Sequence, residues 1–187
     1  MSQLFFHHVG RAGAERDFRR SLAHKIKASA VVPSLRTDLG SQRGEQFAAD
    51  LGRLFPSGFN CWAPPAAADK SIASLEVGDI VLLIGAIQLQ PFADGAFDYL
   101  GKVRVKSVVP LHETSRYIWT EAKFPWLFFF EATKIKLPWP TFLTQVGYRP
   151  NFDPRGLFYR VNPKRYGSLP GGDPDGYARY VMAEYPG

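Results

Sequence analysis

Ser74-Leu75-Glu76-Val77-Gly78-Asp79-Ile80-Val81-Leu82-Leu83-Ile84 lies in the middle of the segment around which the chain is organised, Phe59 to Phe130. Val77-Gly78-Asp79 carries turn chemistry, and Ile80 to Ile84 follows as an unbroken apolar run of strand length. The run predicts a buried strand entered through a turn, with Asp79 capping or closing that turn. Downstream, Tyr99 to Val109 alternates: Val103, Val105 and Val108-Val109 are expected on a core face, and Lys102, Arg104 and Lys106 on a basic one. Aromatic residues bracket this pair, as Phe59-Asn60-Cys61-Trp62 upstream and as Tyr117-Ile118-Trp119 and Phe124 to Phe130 downstream. Rings at both ends of a small, positively charged sheet predict a pocket for a planar ligand carried on a polyanion.

Further out, Leu4 to Gly10 reads as a first strand stopped by glycine. Phe18, Leu22 and Ile26 at four-residue spacing predict an amphipathic helix from Ala14 to about Ala30. Its other face holds Arg16, Arg19, Arg20, Lys25 and Lys27, which is either a solvated face or a surface that contacts phosphates. Pro33 and Gly40 bracket an expected loop, and Phe47, Leu51 and Leu54 place a second helix over Gln42 to Leu54. Leu89 to Asp98 reads as a hairpin loop, Glu113 to Ala122 as a short helix and Trp126 to Ala132 as a strand. Pro138-Trp139-Pro140 opens a helix that ends at Gly147, and a last helix runs from about Asp175 to Ala183. Between them Arg149, Arg155 and Arg160 interleave with Tyr148, Phe152 and Phe158, a pattern suited to gripping a nucleic-acid backbone.

With 187 residues, one domain is expected, in three parts: a strand and basic helices over 1–58, a core over 59–166 and a helical extension over 167–187. A net charge of +6 favours an acidic partner, of which nucleic acid is the commonest. Cys61 is the only cysteine, which excludes an intramolecular disulfide and agrees with a reducing cytoplasm, the expected location. Neither a membrane span nor a secretory leader is legible. His7, His8, His24 and His112 are scattered, and no hydrolase, phosphate-loop or zinc-ligand spacing occurs, so the chain is expected to be no enzyme and to carry no metal or cofactor. Cys61 reads as a small buried thiol, and Asn60 as an amide placed beside a ring.

The ordered features from about Phe59 to Val161 resemble the EVE and YTH domains of the PUA-like superfamily. They are a tryptophan before a loop, the Leu-x-x-Gly-Asp-Ile-Val-Leu-Leu strand, a hairpin to Tyr99-Leu100-Gly101-Lys102-Val103, Ile118-Trp119, the Trp126 to Phe130 strand and a late Arg155-Gly156. Phe6-His7-His8-Val9-Gly10 with Asp17-Phe18 is similar to the start of EVE-like regions in modification-dependent restriction systems, including McrB-type proteins. The resemblance implies an α+β fold, a small curved β-barrel or strongly bent mixed sheet flanked by helices, which holds a methylated or hydroxymethylated base in an aromatic cage. It makes Trp62 and Trp119 two cage walls and Phe124 or Trp126 the third, Phe124 being the better match because Trp126 resembles a strand tryptophan packed in the core; it sets Asn60 and Cys61 beside the base edge and gives Arg155 to the backbone. The implied partner is DNA with a modified base, the chain serving a fused or associated nuclease or AAA+ motor. The long N-terminal extension and hairpin loop depart from YTH domains and leave single-stranded RNA open as the alternative. A nuclease or RNA-modifying enzyme is the third reading.

Overall fold

The structure is a computed structural model that describes residues 1–8, 13–64, 72–84, 95–152 and 158–187. In chain order its elements are β1 (Leu4–His8), α1 (Gly13–Ser21), a 3-10 turn (Ala28–Val31), α2 (Val32–Leu39), α3 (Ser41–Leu54), β2 (Asn60–Trp62), β3 (Ile80–Ile84), β4 (Ala96–Lys102) and β5 (Val105–Lys106). Then come α4 (His112–Trp119), β6 (Phe128–Phe130), β7 (Ala132–Pro138), α5 (Trp139–Gln145), β8 (Tyr159–Arg160), a second 3-10 turn (Pro163–Ser168) and α6 (Pro174–Glu184).

The apolar run becomes β3 at the centre of a five-stranded mixed sheet ordered β7-β4-β3-β1-β8. Among the described residues only β1 and β3 are parallel, paired from Leu4 and Ile80 to His8 and Ile84. An uninterrupted apolar run is what a strand covered on both faces requires, and both faces are covered. Phe5, Val81 and Leu83 enter one core with α1 to α4, whereas Leu4, Phe6, Ile80 and Leu82 enter a second with α5 and α6. Asp79 closes the turn as expected: its carboxylate accepts from the backbone N–H of Glu76 at 2.7 Å and of Gln3 at 2.8 Å. One side chain thus starts β3 and anchors the strand beside it.

Curvature comes from one long antiparallel ribbon. Its lower half, β4 with β7, belongs to the large sheet; its upper half, β5 with β6, continues into a three-stranded sheet ordered β2-β6-β5. The crossing lies at Gly101, where an added Cβ would meet the Phe130 ring at 2.1 Å, so only glycine lets the two halves approach. The α+β class and the mixed sheet are as expected; among the described residues no strand pairing closes the sheet into a barrel.

Several local readings are corrected. The expected loop after Pro33 is helix α2, with the proline in its first turn, where a missing N–H costs nothing. Val108 and Val109 are 83% and 41% exposed rather than core, because the ladder ends at Lys106. Strand β7 was not legible: it is an edge strand with Thr133, Lys134 and Lys136 exposed and Ile135 and Leu137 buried. β1 pairs inside the large sheet, and α6 covers that sheet. The expected hairpin loop lies for the most part outside the described residues.

Candidate nucleic-acid interface

Helix α1 is shorter than its pattern. Phe18 and Leu22 are buried as the spacing requires, but the helix ends at Ser21. The cause is distant in sequence: the Asn60 side-chain amide donates to the carbonyls of Leu22 at 2.9 Å and Ser21 at 3.2 Å, satisfying groups that every helix end leaves open. The chain beyond it turns extended, and Ile26 pairs with Phe59 instead. The outer face of α1 presents Arg16, Arg19 and Arg20 to solvent, and Lys25 and Lys27 follow, also exposed. Arg16 lies 3.5 Å from Asp17 and 3.9 Å from Glu121, and Lys25 pairs with Glu131 at 2.8 Å. Such exposed pairs are weak and can exchange for phosphates.

Beneath α1 the three expected cage rings do come together. Trp62 and Trp119 meet edge to face with centroids 5.8 Å apart, and Trp119 meets Phe124 at 6.1 Å and 90°. Phe18 lies on Trp62 at 4.8 Å. Each indole N–H is held, that of Trp62 by His7 Nδ1 at 2.7 Å and that of Trp119 by Ser21 Oγ at 3.1 Å. Trp62 and Trp119 are only 5% and 1% exposed, whereas Phe124 is half-buried. A base sandwiched between two rings needs about 7 Å between their planes, twice an ordinary contact of ~3.5 Å. Edge-to-face rings leave no such slot, so the cluster stands closed.

Asn60 and Cys61, expected beside a base edge, are both held inside the fold. Both ends of the Asn60 amide are occupied inside the fold, its oxygen accepting from the Ala132 N–H at 2.9 Å. It joins α1, β2 and β7. The Cys61 side chain is buried in the core, as the small buried thiol expected from the sequence, and burial pushes its pKa up. The tail divides as well. Arg149 and Arg160 are exposed, although Arg160 also donates to Gln3 Oε1 at 2.9 Å, and Arg155 lies outside the described residues. Arg165 is structural: it donates to the carbonyls of Val146 and Gly147 after α5 and sits 4.8 Å over the Tyr148 ring.

The roles of two residues near the site are not written in the local sequence. Asp38 in α2 accepts from the N–H groups of Glu113 and Thr114 at 2.9 Å, capping from a distance the helix that ends in Trp119. Asp17, on the edge of the arginine face, has a buried carboxylate oxygen with no hydrogen bond, and burial raises its pKa against the pull of Arg16. Neither arrangement has a local sequence signal. Among the described residues no group of three His, Cys, Asp or Glu side chains could hold a metal ion, and no helix is long and apolar enough to cross a membrane.

The fold and this site define an α+β domain in which a bent sheet holds an aromatic cluster under a basic helix. A solved structure of similar fold is the N-terminal domain of Thermococcus gammatolerans McrB bound to m5C DNA, with a TM-score of 0.61 over 89% of this chain and 94% of that one. The likeness to McrB-type N-terminal regions therefore extends from a few residues to nearly the whole chain. At 17% identity it is a likeness of fold. No family model and no curated relative matches the sequence.

Proposed function

We propose that this chain is a non-enzymatic reader of modified bases in DNA, the targeting domain of a restriction or defence system whose nuclease or AAA+ motor lies elsewhere. The observation that carries this reading is the convergence of Trp62, Trp119 and Phe124 under the exposed arginines of α1. Its support is a fold shared with a McrB domain that was solved with m5C DNA. The arginines and lysines grip phosphates, which supplies affinity without sequence preference. A flipped base then enters beside Trp119 as the half-buried Phe124 gives way.

The magnitudes allow this. Separating one ring pair costs about 0.5–1.5 kcal/mol, and stacking a base on an exposed ring contributes roughly 1–3 kcal/mol. Extrusion from a duplex takes a few kcal/mol more, and it is lowest where pairing is already weakened. Ring stacking on both faces and the phosphate contacts together offset it. Selectivity then resides in how the base's extra methyl or hydroxymethyl group packs against the rings. The exposed basic helix favours duplex DNA over a single-stranded RNA target, which needs no extrusion.

The test is a titration against matched duplexes carrying adenine, N6-methyladenine, cytosine, 5-methylcytosine or 5-hydroxymethylcytosine, with single-stranded RNA alongside. A preference of tenfold or more for one modified duplex, about 1.4 kcal/mol, is expected. Equal affinity for methylated RNA and DNA would favour the RNA reading, and metal-dependent cleavage products would replace it with an enzymatic one.

A further inference from the structure

A second groove, of about 340 Å³, opens on the opposite face of the five-stranded sheet, between the β4–β7 ribbon and α6. Its floor is apolar, formed by Ile80, Leu100 and Ala178 of the second core. Its rim is cationic. Lys102, Arg104 and Arg179 all line it, and all three are exposed. The two carboxylates on the rim are engaged: Asp175 accepts from Lys102 at 2.6 Å, and Glu131 pairs with Lys25 at 2.8 Å. Arg104 is in no hydrogen bond or ion pair of its side chain among the described residues, and Arg179 acts on Asp175 through charge, without a hydrogen bond. Two guanidiniums over an apolar floor, with the local anions already neutralised, form a surface for phosphate groups joined by apolar units.

We infer that this groove is a second contact for a phosphodiester backbone, with sugars against the floor and phosphates on Arg104 and Arg179. The inference rests on the proposal that the chain binds nucleic acid, and it adds where the strand goes. Glu131 stands where the ribbon crosses between sheets, and its partner Lys25 belongs to the segment that follows α1. The cationic surface therefore turns the end of the sheet, from Arg16, Arg19 and Arg20 through Lys25 to the α6 groove. A duplex bent around that end touches both faces, and the cost of such bending is offset by the added contacts.

The experiment compares the whole chain with an Arg104→Ala/Arg179→Ala variant and an Arg104→Lys/Arg179→Lys variant, each titrated with long modified and unmodified duplexes over a series of salt concentrations. The alanine variant is expected to bind both duplexes about tenfold more weakly with its modified-base preference intact, and to lose about 1.8 from the slope of log affinity against log salt, roughly 0.9 for each phosphate. The lysine variant is expected to keep most of the slope. An alanine variant with unchanged affinity and slope overturns the groove assignment. A wild-type chain without modified-base preference sinks the reader proposal alone, since the groove is judged by the slope. Inorganic triphosphate is titrated in parallel by NMR. If it shifts the Arg104 and Arg179 resonances while duplex binding ignores their loss, the site takes a free anion and the backbone assignment fails.

Discussion

Trp62 donates its indole N–H to Nδ1 of His7 at 2.7 Å, joining the first residue of the cage proposal to a strand 55 positions earlier in the chain. Both groups are buried, at 5% and 3% exposure, so His7 accepts with an unprotonated Nδ1. His7→Leu leaves that indole N–H unpaired and is expected to lower stability by about 1–3 kcal/mol. In a Trp62→Phe background, with the donor gone, the same change should cost measurably less. Urea denaturation of the four proteins in this cycle reads the coupling.

The two tryptophans serve core and site together, which determines how they can be tested. Trp62→Ala and Trp119→Ala each remove a buried ring and are expected to destabilise the chain by about 3–5 kcal/mol. Trp119→Phe is the more informative change. It keeps an aromatic surface, and it should leave a folded protein whose binding is still salt-sensitive but whose preference for the modified duplex falls about tenfold. An undiminished preference in the folded variant would remove Trp119 from the cage.

Asn60→Asp retains the oxygen that accepts from Ala132 but turns a second oxygen toward the carbonyls of Ser21 and Leu22. Loss of donors to buried carbonyls is expected to cost about 1–3 kcal/mol. Because the Asn60 amide is buried and engaged in positioning α1, the variant, measured well below its melting temperature, should keep the ratio of modified to unmodified binding. A changed ratio with unchanged stability would return Asn60 to the base edge.

Asp17 gives a pH dependence with a definite sign. Burial raises its folded pKa above the unfolded value, so its contribution to stability is fully present below the unfolded pKa and is lost as pH rises through the folded one. Asp17→Asn, which removes the buried charge, is therefore expected to stabilise the chain at neutral pH, with the gain vanishing below about pH 4, the ordinary carboxylate range. Thermal melts across that range check it. A constant difference at every pH would mean that the carboxylate's charge is irrelevant.

Arg19→Ala/Arg20→Ala should weaken binding to modified and unmodified duplexes alike and reduce the salt slope by about 0.9 for each phosphate that the two arginines neutralise. An unchanged slope would detach α1 from the interface.

Periodicity and local chemistry are written in the amino-acid order. Ile80 to Ile84 read as a buried strand, Val77-Gly78-Asp79 as its turn, and Phe18 and Leu22 as the inner side of a helix with basic residues outward, and the structure holds each of them. These signals are short-range, written within a few residues of one another. Tertiary structure decided everything that depends on partners far along the chain. It stopped α1 at Ser21 through Asn60, made an edge strand of the lysine-bearing β7, committed Arg165 to a helix end, and closed Trp62 and Trp119 against each other. The physical reason is the same in each case. A polar group's role is set by whichever donor or acceptor the fold brings within hydrogen-bonding reach, and a ring's role by what fills the space beside it. Neither is a property of the residue's neighbours in sequence.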